Sequence, residues 1–368
     1  MINVTQPFLP PLDEFYEYLK DIWESRFLTN DGKYHQALEK ALCEYLGVKH
    51  ISLFANGTLA LITALQEMQI TGEVITTPYS FVATTHALWW NNIKPVFIDI
   101  EPNTFNIDPL KIEAAISSKT TAILPVHVYG NPCNVDKIKQ IADAYDLKVI
   151  YDACHTFGVT IKDVPVLNFG DLSVMSFHAT KVFTTFEGGA IVCHDADTKK
   201  RIDNLKNFGI ADGRVIATGI NAKMNEVQAA MGLLQLKYID RVIEKREVIT
   251  NLYREKLTRI KGITFLNDMP RVKHCYSYFP ILIDKSKYGK TRNEVFEELQ
   301  KYNILGRRYF YPLISQFSPY CDLESSHPGK MPVAERITEQ VLCLPIFPEL
   351  NLEVVNNICI IIKMYCKD

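Results

Sequence analysis

The sequence predicts an α/β fold: a large, mostly parallel sheet covered by helices, followed by a smaller α/β unit. Three observations lead there. Short apolar runs alternate with amphipathic stretches from about residue 35 to 240. Those runs are apolar throughout, as expected of strands covered on both faces. At 368 residues the chain is long enough for one large core and a second, smaller one.

The strands are expected at ISLF (51–54), EVITT (73–77), PVFID (95–99), AILPVHV (122–128), KVIYD (148–152), LSVMSF (172–177) and GAIVCH (189–194). Helices are expected between them at His35–Leu46, Thr58–Met68, Pro109–Ile116 and Val135–Ala144. Strand–helix–strand connections of this kind are right-handed crossovers. A further helix is expected to begin after Asn221, because Met224, Val227, Met231 and Leu234 recur on one face. It leads into a charged helical stretch at 238–261. Beyond it YFPILID, NEVFEELQKYNI, a proline-rich stretch and a last helix read as a second α/β domain. The expected division is 1–244, including the N-terminal segment, and 245–368.

Composition narrows the function classes. Hydrophobic residues make up 47% and charged residues 22%, with a formal net charge of −2. No global field draws this chain to nucleic acid or an anionic membrane. Nine cysteines, an odd number without a CxxC pair, predict reduced cytosolic thiols and neither a disulfide framework nor a zinc site. The opening MINVTQPFLPPLDEF lacks a basic, then apolar, leader pattern, and runs such as ICIII (358–362) are too short to span a bilayer. The expected compartment is the cytoplasm. GxGxxG and GxxxxGK[ST] are both missing, which argues against a dinucleotide or P-loop site.

In an open α/β sheet, ligands bind beyond the carboxyl ends of the strands. The polar residues expected there are Asn56-Gly57-Thr58, Tyr79-Ser80-Phe81, Asp152 and Ser176 to Lys181. Lys181 is either a solvated surface charge or an amine poised for Schiff-base chemistry, which a desolvated or cation-flanked site favours by lowering its pKa. Asp152 ends an apolar strand, where a carboxylate is costly without a cation; it is either a helix cap or the partner of a protonated ring nitrogen. His155 is either a packed core histidine or a contact to the same ring. Gly57-Thr58 opens a helix whose free N–H groups suit a phosphate. Ser176 either adds a hydroxyl to that phosphate or bonds the backbone at the strand end. Phe81 either fills core or stacks on an aromatic ring. Together these residues describe pyridoxal 5′-phosphate (PLP): an aldehyde for lysine, a ring nitrogen for aspartate, a π-face for an aromatic and a phosphate for a helix start.

The chain resembles the PLP-dependent nucleotide-sugar aminotransferases of the DegT/DnrJ/EryC/StrS group. The likeness runs over nearly the whole length and includes ANGTLAL (55–61), TTPYSFVAT (76–84), ILPVHVYGNP (123–132), YDACHTFG (151–158), SFHATKVFTTFEGGA (176–190) and GINAKMNEVQAAMGLLQL (219–236). The resemblance implies the aspartate-aminotransferase fold (fold type I) and transfer of an amino group from L-glutamate to a nucleotide-linked keto-sugar. It implies that Lys181 carries the cofactor and later moves a proton, that Asp152 pairs with the pyridinium, and that His155 lies near the ring hydroxyl. Phe81 then stacks on the ring, and Gly57, Thr58 and Ser176 hold the phosphate. Asn221 aligns with an asparagine that reaches the phosphate from a neighbouring subunit, which implies a homodimer; its alternative is a cap on the following helix.

Two departures from the pattern stand out. Many relatives have a His-Tyr-x-Pro element where this chain has Tyr309-Phe310-Tyr311-Pro312, a change that bears on substrate choice. Relatives that remove a hydroxyl replace the lysine with histidine; this chain keeps Lys181, with His178 nearby, which favours transamination. The carbon aminated, the sugar and the base are open at this point, as are the residues that grip glutamate, with Arg307 and Arg308 among the candidates. A PLP-binding regulator without turnover is the rival reading from another class.

Overall fold

The computed structural model describes residues 1–366. Seven strands form the central sheet: β1 His50–Phe54, β2 Glu73–Thr76, β3 Lys94–Phe97, β4 Thr120–Leu124, β5 Lys148–Asp152, β6 Leu172–Ser176 and β7 Gly189–Cys193. Their order is β1-β7-β6-β5-β4-β2-β3. The pairs from β6 through β5, β4 and β2 to β3 are parallel; β7 runs antiparallel to both β1 and β6. The sheet is buried on both faces, with Ile150, Val174 and Ile191 fully covered, each contributing about 1.5–3 kcal/mol. That two-sided burial is why the strands lack polar alternation.

Helices flank the strands as expected, Lys33–Leu46 before β1, Gly57–Glu67 after it and Val135–Tyr145 between β4 and β5. The first is held at its start by buried Glu226, whose carboxylate accepts the N–H groups of Tyr34 at 2.8 Å and His35 at 3.0 Å. This is a carboxylate at a helix N-terminus, where the free donors and the dipole favour it.

Three expectations need correction. Residues 109–116 form two single 3₁₀ turns, Pro109–Lys111 and Glu113–Ala115, in place of one helix. Strand β4 stops at Leu124 and does not run to 128; Pro125 lacks the N–H that a ladder needs. The helix expected directly after Asn221 begins at Glu226, with Asn225 as its cap: the Asn225 side chain accepts the Gln228 N–H, and Gln228 accepts the Asn225 N–H. Asn221 is therefore not the cap.

The C-terminal part carries its own three-stranded antiparallel sheet: β8 Ile263–Phe265, β9 Phe279–Ile283 and β10 Val341–Leu344, with β9 in the middle. Helices Arg292–Lys301 and Leu352–Met364 belong to this part. The helix Ile239–Leu257 runs unbroken through the expected division at 244/245. The first residues pair with the C-terminal part, since Ile2 and Leu305 exchange backbone bonds with Asn303 and Ile2, and Ile346 N–H reaches Val4. One apolar cluster joins Leu38, Met224 and Leu234 to Ile281, Leu299 and Ile358. Among the described residues, no helix is long and apolar enough to cross a membrane.

Two histidines, His127 buried and His274 half-buried, set an acid limit on this fold. His127 is stacked on Tyr151 at 4.5 Å and accepts the Cys133 N–H at Nδ1, and burial lowers its pKa to about 3. Burial likewise lowers His274 to about 4. The unfolded chain takes up these protons near the ordinary histidine value, while the native state excludes them until about pH 4 and about pH 3. Stability is therefore expected to fall as pH drops below about 6.5, by up to ~1.4 kcal/mol per pH unit for each histidine. Thermal melts between pH 7.5 and 5 check this: Tm should fall with acid, and His274→Gln should flatten the dependence.

Candidate active site

The carboxyl ends of the strands converge as expected. One cavity of about 200 Å³ is lined by Gly57, Thr58, Ser80, Phe81, Thr84, Asp152, Cys154, His155, Ser176, His178, Lys181 and Glu187, with Tyr278, Tyr309 and Phe310 from the C-terminal part. Seven of the eight expected site residues meet there; Asn221 does not line it.

Asp152 is 5% exposed at the end of β5. Its Oδ2 accepts the Thr84 hydroxyl at 2.7 Å and its Oδ1 accepts the Cys154 N–H at 3.2 Å. No helix follows it, so the helix-cap reading fails; the residues after it run as turns. The carboxylate is buried and faces a cavity, the position in which a cationic ligand group offsets its desolvation.

Lys181 is half-buried on the loop after β6, where its N–H donates to His178 O at 2.9 Å. Burial alone disfavours its charge. Tyr278, Cys154, Asp152 and Tyr309 act in the opposite sense and prevail, so its pKa lies above the ordinary lysine value. The expected lowering is thus overturned, because acidic groups surround the amine where a cation-flanked or merely desolvated pocket was anticipated. A cation paired with Asp152 removes one of the causes that hold the proton on Lys181.

His155 is both packed and positioned. Its ring lies edge-on to Tyr278 at 5.1 Å and parallel to Phe310 at 6.2 Å. Burial first, then Lys181 and His127, hold its pKa well below the ordinary value. Nδ1 accepts the Tyr129 N–H at 3.2 Å, so the neutral ring carries its proton on Nε2 and can donate from there.

The phosphate end is built by close approach. A Cβ at Gly57 would lie 2.9 Å from Ser176 Cβ, and one at Gly189 would lie 2.7 Å from the Asn56 carbonyl, so glycine at both places lets the ends of β6 and β7 close on the helix start. The Asn56 side chain accepts the Leu59 N–H at 2.9 Å, and the first-turn N–H groups of Gly57 and Thr58 have no helical acceptor. Ser176 Oγ accepts the His178 N–H at 3.4 Å, the strand-end role weighed for it, and still lines the cavity. Phe81 is 58% exposed, which contradicts the core reading and leaves a ring face bare at the cavity.

A carboxylate, an amine, a bare aromatic face and a helix start around one cavity fit PLP, whose ring nitrogen, aldehyde, π-face and phosphate require those four groups. Sequence reasoning missed Thr84, Tyr278 and Phe310 as lining residues, and treated Tyr309 only as a mark of substrate choice. Tyr309 is held from the loops after β2 and β4: the Tyr129 hydroxyl donates to the Tyr309 carbonyl and accepts the Tyr79 hydroxyl at 2.7 Å. Arg307 and Arg308 do not line the cavity. Arg308 stacks over Tyr311 at 5.1 Å and Phe296 at 5.2 Å.

A lysine and an aspartate at the strand ends of this sheet define a PLP-dependent aminotransferase of the aspartate-aminotransferase fold. Residues 12–363 match the model of the DegT/DnrJ/EryC1/StrS aminotransferase family, and the chain belongs to that family. It is 54% identical over 359 residues to an Escherichia coli dTDP-4-amino-4,6-dideoxy-D-glucose transaminase, covering 97% of this chain and 96% of that one. It is 52% identical over 364 residues to a Shigella dysenteriae protein of the same name, covering 97% of each. Among solved structures, DesI, crystallised in the presence of its TDP-sugar product, superposes with a TM-score of 0.94 at 34% identity, over 99% of this chain and 92% of DesI.

Proposed function

We propose that the chain transfers the amino group of L-glutamate to C-4 of dTDP-4-dehydro-6-deoxy-D-glucose, giving dTDP-4-amino-4,6-dideoxy-D-glucose (the viosamine nucleotide) for surface-polysaccharide (O-antigen) synthesis. The observation that carries this reading is the 54% identity over 97% of the chain to a transaminase of that name, together with Lys181 and Asp152 facing one cavity. The same residues favour an enzyme over a binding regulator.

Bound PLP supplies an electron sink and carries nitrogen between two half-reactions. Asp152 would hold a protonated ring nitrogen, and His155 Nε2–H would donate to the ring oxygen. Phe81 would cover one ring face. The Gly57 and Thr58 N–H groups, with the Ser176 hydroxyl, would receive the phosphate. Lys181 Nζ removes the proton from Cα of glutamate in the first half-reaction and delivers a proton to C-4 of the sugar in the second.

Among the described residues, Lys181 is the one lysine or arginine lining the cavity. Glutamate and a nucleotide diphosphate bring several negative charges, so further donors are needed. We assign them to a second copy of the chain. Asn221 is exposed, accepts the Lys223 ammonium at 2.9 Å, and is flanked by exposed Phe208, Val215 and Ile216. The active unit in this reading is a cytoplasmic homodimer. Each protomer has two units, 1–244 and 245–368, dividing within the helix Ile239–Leu257.

A spectral cycle tests the reading. The visible band of the holoenzyme should collapse with L-glutamate and return on adding the 4-keto sugar nucleotide. A band that glutamate leaves unchanged would contradict it.

A further inference from the structure

The hydroxyls of Ser80 and Thr84 form a short chain to the Asp152 carboxylate. Thr84 Oγ1 is 2.7 Å from Asp152 Oδ2 and 2.8 Å from Ser80 Oγ. A carboxylate only accepts, so the Thr84 proton points to Asp152 and Ser80 must donate to Thr84. Ser80, Thr84 and Asp152 are 5%, 1% and 5% exposed, so water does not replace these bonds. Their direction is not explained by helix capping. The helix Ala83–Trp90 starts with Val82 at its cap position and has no side-chain cap, although a serine and a threonine flank that start. Thr84 instead turns to one oxygen of the Asp152 carboxylate, and Ser80 turns to Thr84.

We propose that Thr84, itself oriented by Ser80, is a positioning residue that fixes the rotation of the Asp152 carboxylate toward the cofactor ring. Thr84 takes one lone pair of Oδ2, and the Cys154 N–H takes one of Oδ1 at 3.2 Å. The remaining lone pairs are left for the ring nitrogen. The charged and titratable groups around the carboxylate are Cys154 and His155 on its own loop, Lys181 from the loop after β6, His127 and Cys133 from the segment after β4, and Tyr278. None of these replaces the Thr84 hydroxyl, which donates at every working pH. The inference rests on the PLP reading of Asp152.

The test compares Thr84→Val, Thr84→Ser and Ser80→Ala holoenzymes by the pH titration of the visible cofactor band, by cofactor dissociation and by steady-state kinetics. Loss of one bond to a buried charge predicts that Thr84→Val lowers kcat and weakens cofactor retention by about tenfold each. The band's titration midpoint should move while the KM for the sugar nucleotide holds. Thr84→Ser should restore all three, and Ser80→Ala should shift the midpoint in the same direction by less. An unmoved midpoint and kcat in Thr84→Val overturns the proposal, as does a Thr84→Ser protein as impaired as Thr84→Val, which would assign the effect to methyl packing. If Thr84→Val does not fold, an unmoved midpoint in Ser80→Ala overturns it. Failure of the PLP reading itself is distinguished by a wild-type protein that shows no visible band with PLP.

Discussion

Lys181→Ala is expected to lose multiple turnover. The cavity has one amine, and its surroundings, Tyr278, Cys154, Asp152 and Tyr309, are all groups that hold a proton on it. Alanine removes both the group that carries the cofactor and the group that moves the proton between carbons. A positioned general base or acid contributes about 10²–10⁴-fold, and loss of the covalent link adds to that. The structure offers no ready substitute. His178, three residues earlier, is directed elsewhere, its Nδ1 at 2.9 Å from Thr180 Oγ1 and its Nε2 at 3.5 Å from Glu187. The checking measurement is turnover per active site, with the visible band recorded in parallel. The variant should still fold, since the lysine is half-buried at a cavity and leaves no packed core gap.

Asp152→Asn has the second-largest expected effect. Asparagine keeps the shape; its one acceptor oxygen can take the Cys154 N–H, and its NH2 group can donate to Thr84 Oγ1 once that hydroxyl turns toward Ser80, so the fold should hold. It removes the negative charge that pairs with a ring cation. Breaking a buried ion pair costs about 3–5 kcal/mol, which corresponds to roughly 10²–10⁴-fold in rate if expressed in the transition state. The same change removes one of the causes that raise the Lys181 pKa. The prediction is therefore double: kcat falls by at least about 100-fold, and Lys181 deprotonates at lower pH, read from the titration of the cofactor band. An unchanged titration with reduced kcat would separate the two effects.

Much of this site was legible because its parts stand at strand ends, and the strands themselves were legible because they are buried on both faces. Asp152, Ser176 and the Gly57 turn follow directly from β5, β6 and β1. The residues that were not legible come from farther away. Tyr278 and Phe310 reach the cavity from the C-terminal part by tertiary packing, and no local period marks a residue for that role. Thr84 was hidden because a threonine in the first turn of a helix reads as a helix residue, not as a donor to a carboxylate 68 positions later.

The fold shows the same division. The start at Glu226 was available in the sequence: Asn225-x-x-Gln228 has the spacing of a capping box. The apolar pattern beginning at Met224 concealed it, because Met224 is buried before the helix starts. At 109–116 the apolar spacing suggested one helix, but Asp108 caps only a 3₁₀ turn, with its carboxylate accepting the Leu110 N–H at 3.0 Å. Phe81 was ambiguous because the sequence does not distinguish an aromatic that fills core from one left 58% exposed at a cavity.

The central claim, that Lys181 and its surroundings move nitrogen from an amino acid to a specific sugar carbon, is tested most directly by isotope transfer. Purified holoenzyme is given L-glutamate labelled with ¹⁵N at the amino group and dTDP-4-dehydro-6-deoxy-D-glucose, and the product is read by NMR. The account predicts ¹⁵N bonded to C-4 of the sugar, formed in step with 2-oxoglutarate and lost in Lys181→Ala. Label at C-3, or a sugar nucleotide without label, would contradict it.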